Sequence, residues 1–244
     1  MKLARTLAAV AGLTMSAAAY ATPVTLGGES PDLQTVINNL YSAAGTSTAL
    51  APNVNTDQAA EAGLFRIEAS GGSVATMIIE VAGNAGTNTF GIYDPNNPSN
   101  YLQLFGGAAS AGNMALLSVS DTFLFTVNFT TSVKFTSSTF GYYLGGPSGP
   151  LFYSQAELNG GDDHLVMFQG DGDLIKLPGR PAGVWGSSSY ILAWEDLPLS
   201  ISDRDYQDMV VYVESITPVP EPGTLALIGL GLLGVAGMRR RQRN

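Results

Sequence analysis

Five carboxylates crowd into 14 residues towards the end of the chain: Glu195, Asp196, Asp203, Asp205 and Asp208. The first two close an apolar run that begins at Tyr190; the other three stand just before a second run, Met209 to Val213. Carboxylates held that close repel one another unless a cation or shared protons offset the charge. Calcium takes about six to eight oxygen ligands and suits a loop rich in aspartate and backbone carbonyls. The pattern therefore predicts a structural calcium site built from these five residues. The competing reading is a solvated acidic turn with Arg204 as its internal counter-ion. An EF-hand does not fit. Asp203 and Glu214 have its end-to-end spacing, but Asp208 stands where that loop needs glycine, and Met209 to Val213 alternates like a strand.

A different chemistry would use two of the same acids as general acid and base on a glycosidic bond. Spacing alone fixes no carboxyl separation, and neither a nucleophile motif nor an oxyanion-hole motif accompanies the acids. No catalytic residue is assigned, and a non-enzymatic role is preferred. The chain has no cysteine and one histidine, His164, so thiolate chemistry is unavailable and a zinc site has too few ligands. His164 opens an apolar run after Asp162 and Asp163, and is expected to hydrogen-bond at a strand end. Trp185, Tyr142, Tyr143 and Tyr153 could stack on sugars if exposed; packing is the alternative for each. Trp194 is expected in the core.

The elements that must position these residues are mostly strands. Ser30, Pro31 and Asp32 read as a helix start, with Ser30 as the N-cap and Pro31 in the first turn. Leu33, Val36, Ile37, Leu40 and Tyr41 follow with helical spacing, and the helix ends near Gly45. Strands are predicted over 64–69, 74–81, 89–93, 101–105, 122–130, 133–136, 141–144, 151–153, 164–168, 190–195 and 209–214, separated by Gly- and Pro-rich turns. Phe123, Phe125, Val127 and Phe129 should share one core-facing side of their strand. Asn128-Phe129-Thr130 matches a glycosylation acceptor but falls inside that predicted strand, so it is set aside. Many short strands without alternating helices define an all-β fold, a β-sandwich or jelly-roll with one short N-terminal helix.

Both ends of the chain carry addresses. Lys2 and Arg5 precede an apolar stretch over 7–18, and Ala19-Tyr20-Ala21 is a cleavage signal for signal peptidase after Ala21. At the other end Pro220, Glu221 and Pro222 form a turn, residues 223–238 carry no charge, and Arg239, Arg240, Arg241 and Arg243 follow. As a helix the uncharged run spans about 24 Å, short of a hydrocarbon core of about 30 Å. The arginines stay cytoplasmic and place the body of the protein outside. Gly229, Gly231 and Gly234 spell a dinucleotide fingerprint, but without the βαβ unit that motif requires. The motif, apolar run and arginines together resemble a PEP-CTERM sorting signal, a tail held transiently in the inner membrane. That resemblance implies an exosortase as partner and a final place at the cell surface or outside the cell.

The chain thus divides into a signal peptide (1–21), an N-terminal helix and loop (22–59), an acidic β-sandwich domain (60–217) and a sorting and anchor segment (218–244). Between the two signals, five basic residues face 19 acidic ones, a net charge of −14. Such a surface repels nucleic acid and anionic lipid and favours cations or neutral partners. Residues 88–94, 140–144, 163–168, 191–197 and 203–208 resemble, in order, a module known as domain of unknown function 4114, over roughly 60–216. The resemblance implies that Glu195, Asp196, Asp203, Asp205 and Asp208 matter, and an enzymatic role has been suggested for such acids. Gln207 departs from it, standing where the family usually has Asn. The expected function is a structural or adhesive one in the exopolysaccharide layer, with a carbohydrate-binding module or a glycoside hydrolase as alternatives. The exported chain should begin at Thr22. N-terminal sequencing of protein recovered from outside the cytoplasm checks this, and a retained Met1 would refute it.

Overall fold

An aspartate reaches the amide three residues ahead more readily than the serine before a proline can, and this sets where the helix begins. In the computed structural model, which describes residues 30–59, 63–68, 72–79, 86–146, 149 and 151–219, helix α1 spans Leu33–Ala44. Asp32, not Ser30, is its N-cap: the carboxylate accepts the Thr35 N–H at 2.6 Å, and Pro31 lies outside the helix. Gly45 ends it at φ 78°, a left-handed conformation that suits glycine. Leu33, Val36, Ile37, Leu40 and Tyr41 are all buried, the face their spacing predicted.

The strands are β1 (Leu64–Ile67), β2 (Ser73–Ile79), β3 (Thr89–Asp94), β4 (Asn97–Phe105), β5 (Met114–Val119), β6 (Leu124–Val127) and β7 (Thr131–Lys134), followed by β8 (Gly141–Gly145), β9 (Leu151–Tyr153), β10 (Leu165–Gln169), β11 (Leu174–Ile175), β12 (Gly183–Val184), β13 (Tyr190–Trp194), β14 (Met209–Val213) and β15 (Ile216–Val219). A seven-stranded sheet has the order β10-β13-β14-β2-β5-β6-β7, a four-stranded sheet the order β4-β3-β8-β9, and β1–β15 and β11–β12 form two ribbons. The two larger sheets enclose one core, where Phe90 of β3 meets Trp194 of β13 with ring centroids 6.1 Å apart. The outer face of the seven-stranded sheet carries α1, with Ile37, Leu40 and Tyr41 packed among Phe168, Ile191 and Val210. The protein is an all-β sandwich with one helix laid on its back. The signal segment with Ala19 and Ala21, the Pro220-Glu221-Pro222 motif, and the apolar tail with Arg239, Arg240, Arg241 and Arg243 lie outside the described residues.

Strand β13 alternates between the two cores. Leu192 and Trp194 enter the inter-sheet core, while Ile191 and Ala193 face the helix side. Its partners β10 and β14 pair on either side, Trp194 lying opposite Leu165 and Met209. The residues after Trp194 therefore leave a central strand at a fixed height and direction.

One predicted strand is shorter than its composition suggests. Phe125 and Val127 are buried, but Phe123, Asn128 and Phe129 adopt positive φ values of 63°, 50° and 59° and end β6 on both sides. The side-chain alternation stops there, so Phe123 and Phe129 do not join the core, and Phe129 is 78 % exposed. Asn128-Phe129-Thr130 is accordingly a turn between β6 and β7 rather than the inside of a strand. Asn128 closes it by pairing with Leu116 through both backbone and side chain: its N–H donates to the Leu116 carbonyl and its Oδ1 accepts the Leu116 N–H, each at 2.9 Å. Replacing Phe125 with Ala should cost about 3–5 kcal/mol, whereas Phe129→Ala should stay within about 0.5 kcal/mol. Urea unfolding of the two variants checks the contrast.

Candidate metal centre

The acidic cluster begins where β13 runs out. The Glu195 N–H donates to the His164 carbonyl at 3.1 Å, continuing the β10–β13 ladder by one step. The His164 ring closes the same junction from the side, Nδ1 donating to the Glu195 carbonyl at 3.1 Å. Burial lowers the pKa of this imidazole, against the opposing effects of that hydrogen bond and of Asp162. His164 is thus a neutral strand-end residue, stacked on Phe152 at 4.0 Å, and holds Glu195 in place by its carbonyl.

The chain then leaves the sheet and returns. Ile201 and Ser202 N–H groups both donate to the Pro198 carbonyl, which turns the loop. Arg204 and Tyr206 take φ values of 59° and 54°, conformations that non-glycine residues hold only where the surroundings enforce them. The enforcing contact at Tyr206 is visible: its ring is buried and its hydroxyl donates to the Asp163 carbonyl at 2.6 Å. The left-handed residues flank Asp205 and carry it, with Asp203, back towards Glu195.

The five acids consequently meet in two groups. Ligand oxygens of Glu195, Asp203 and Asp205 lie within 4.8 Å of one another, and so do those of Glu195, Asp196 and Asp208. Glu195, Asp196 and Asp205 are buried, Asp208 is half-buried and Asp203 is exposed. The Asp196 N–H donates to Asp208 Oδ2 at 2.9 Å, the Leu197 N–H to Glu195 Oε1 at 3.2 Å, and Gln207 Nε2 to Asp205 Oδ2 at 2.6 Å. Glu195 Oε2 is buried without a hydrogen-bond partner. Arg204, the counter-ion of the solvated-turn reading, is exposed, and its guanidinium donates to the Leu199 carbonyl at 3.4 Å. The ion pair seen among the described residues, Arg180 with Glu214 at 3.7 Å, sits at the opposite end of β14.

Without a compensating charge the cluster holds protons instead. Burial raises the Asp208 carboxyl to about 9; the charges of Asp196, Glu195 and Asp205 push the same way, while the Asp196 N–H opposes. Glu195 is raised as well, first by burial and further by Asp203, with the Ser202 hydroxyl, the Leu197 N–H and Asp208 opposing. Oxygen-rich, partly buried and short of donors, these residues could form a metal site.

Two participants were missed from the sequence. Asn88, fully buried just before β3, donates from Nδ2 to Asp196 Oδ2 at 2.9 Å, so it lies 108 residues from its partner in the chain. Gly146, after β8, packs so tightly that an added Cβ would stand 2.7 Å from the Asp196 carbonyl and 2.9 Å from the Phe152 ring. Neither residue type carries a signal by itself; only the packing of β3 and β8 against the end of β13 brings them in. The aromatic platform fails in the opposite sense. Trp185 is 1 % exposed, its ring edge-on to Tyr41 and its Nε1 donating to the Ser189 carbonyl, and Tyr142 and Tyr143 are buried in the four-stranded sheet. Only half-buried Tyr153 of the four reaches solvent at all, with its ring packed edge-on against Tyr93 at 4.8 Å.

The β-sandwich and its acidic loop thus define a domain with a carboxylate cluster at the end of a central strand. Residues 122–216 match the family described as domain of unknown function (DUF4114), and residues 218–241 match the PEP-CTERM protein-sorting motif. The chain carries a DUF4114 domain followed by a PEP-CTERM sorting motif, and it is an exported, surface-directed protein sorted by an exosortase. All five carboxylates fall within the matched domain, whereas Asn88 and β3 precede it. No curated protein and no solved structure matches the chain. Among the described residues no helix is long and apolar enough to cross a membrane.

The raised Asp208 carboxyl sets a pH dependence for the metal-free chain. Folded protein keeps this proton to about pH 9, while the unfolded chain releases it near pH 4. Between those values the folded state binds more protons, so its stability is full at the acidic end and falls as pH rises. In chelator, the urea midpoint should decline from pH 5 to pH 9, and Asp208→Asn should flatten that decline. A wild-type profile as flat as that of the variant would contradict the assignment.

Proposed function

We propose that this protein is a calcium-stabilised structural or adhesive component of the exopolysaccharide layer, delivered there by its sorting motif. The observation that carries the reading is the convergence of four carboxylates on that of buried Glu195, with the nearby Arg204 guanidinium turned to a backbone carbonyl. A protein without cysteine that works outside the cell cannot use disulfides, and a cation bound by residues from a strand end and a returning loop would cross-link the sheet in their place. Calcium suits the donor set better than zinc, since every candidate ligand is an oxygen.

Burial speaks against the hydrolase alternative. Glu195 and Asp196 are 0 % and 1 % exposed, so a glycosidic bond would have no path to that pair. The burial of Trp185, Tyr142 and Tyr143 likewise takes away the support that exposed aromatic rings would give to a sugar-stacking surface. We expect calcium at about 100 times its dissociation constant to stabilise the full chain by about 2.7 kcal/mol, a rise of roughly 5–10 °C in midpoint. Thermal unfolding in detergent, with calcium against chelator, measures it. An unchanged midpoint would remove calcium from the reading, and release of sugar from the producing strain's polysaccharide would reinstate the hydrolase.

A further inference from the structure

Oxygen ligands bound to one calcium ion at about 2.4 Å can stand no more than about 4.8 Å apart. Glu195, Asp203 and Asp205 meet that limit together, and Glu195, Asp196 and Asp208 meet it together, but the five residues do not merge into a single group. As the side chains stand, one ion does not reach them all. Glu195 alone belongs to both sets. We infer that the centre holds two divalent cations bridged by the Glu195 carboxylate, an inference that rests on the calcium reading above.

A second observation points the same way. Three buried oxygens around the cluster have no hydrogen-bond partner: Glu195 Oε2, Asn88 Oδ1 and Gln207 Oε1. The two amides are divided between the sets. Asn88 donates its NH2 to Asp196, and Gln207 donates its NH2 to Asp205. Each set thus has its own buried amide, held by its nitrogen to a carboxylate of that set, with its oxygen left open. Amide oxygens are ordinary calcium ligands, and a buried acceptor without a donor is otherwise costly. Glu195 offers one oxygen hydrogen-bonded to Leu197 and a second with no protein partner, which suits a carboxylate shared between two ions.

With all five acids ionised, charge favours two ions over one. Five ionised carboxylates around a single divalent cation leave three negative charges uncompensated in a region where three of the acids are buried. A second divalent cation leaves one. The two positions also differ in access. Asp203 opens its set to solvent, while Asp196, Glu195 and Asn88 enclose the other. The Asp203 position should therefore exchange its ion first.

Calorimetric titration of Ca2+ into the chelator-stripped full chain in detergent tests the inference. Two equivalents are expected for wild type, and Asp203→Asn, at an exposed position, should weaken one of them at least tenfold while leaving the other unchanged. One equivalent in wild type would overturn the bridged pair and leave a single calcium site standing; no binding would remove both readings. Retention of both equivalents at wild-type strength in Asp203→Asn, or loss of both, would also overturn the division into two positions.

Discussion

A carboxylate at the end of a central strand is the constraint around which the other parts of this protein are arranged. Glu195 follows Trp194, whose indole fills the inter-sheet core, and its backbone is tied on both sides by His164. Its side chain therefore cannot retreat to solvent without lifting the end of β13 out of the sheet. Burying a charge is expensive, and a protein that does so must supply a counter-charge or a proton. The rest of the cluster sharpens that requirement: further acids collect around it, delivered in part by a bent loop, and amides hold the carboxylates still.

The loop shows how local strain is used. Arg204 and Tyr206 occupy left-handed backbone conformations that cost about 1–2 kcal/mol each for ordinary residues. Tyr206 offsets the cost by burying its ring and donating to Asp163, so the strain is held by packing rather than by the cluster itself. The course of the loop at Tyr206 is thus set by packing.

Export gives the arrangement its setting. The sorting motif directs the chain out of the cytoplasm, and the domain carries no disulfide to brace it there. The helix on the back of the seven-stranded sheet and the aromatic core between the sheets supply ordinary hydrophobic stability. The carboxylate cluster lies at one corner, at the end of β13.

Periodicity and turn chemistry alone determined the all-β class, the helix face from Leu33 to Tyr41 and most of the strands, because these depend on neighbours a few residues apart. Where neighbours did not suffice, the reading failed for identifiable reasons. β5 was missed because Met114, Ala115 and Leu116 have little strand preference of their own and are held by β2 and β6. Phe123 and Phe129 look like core but sit in left-handed turns that no alternation reveals. Trp185 looks exposed among glycines and serines, yet α1 covers it. The five acids could be named from the sequence, since they are close in it and their chemistry is shared. That they fall into two groups around one glutamate, joined by an asparagine 108 residues away, depended on strands that meet only in the folded sandwich, and distances of that kind are written in no local pattern.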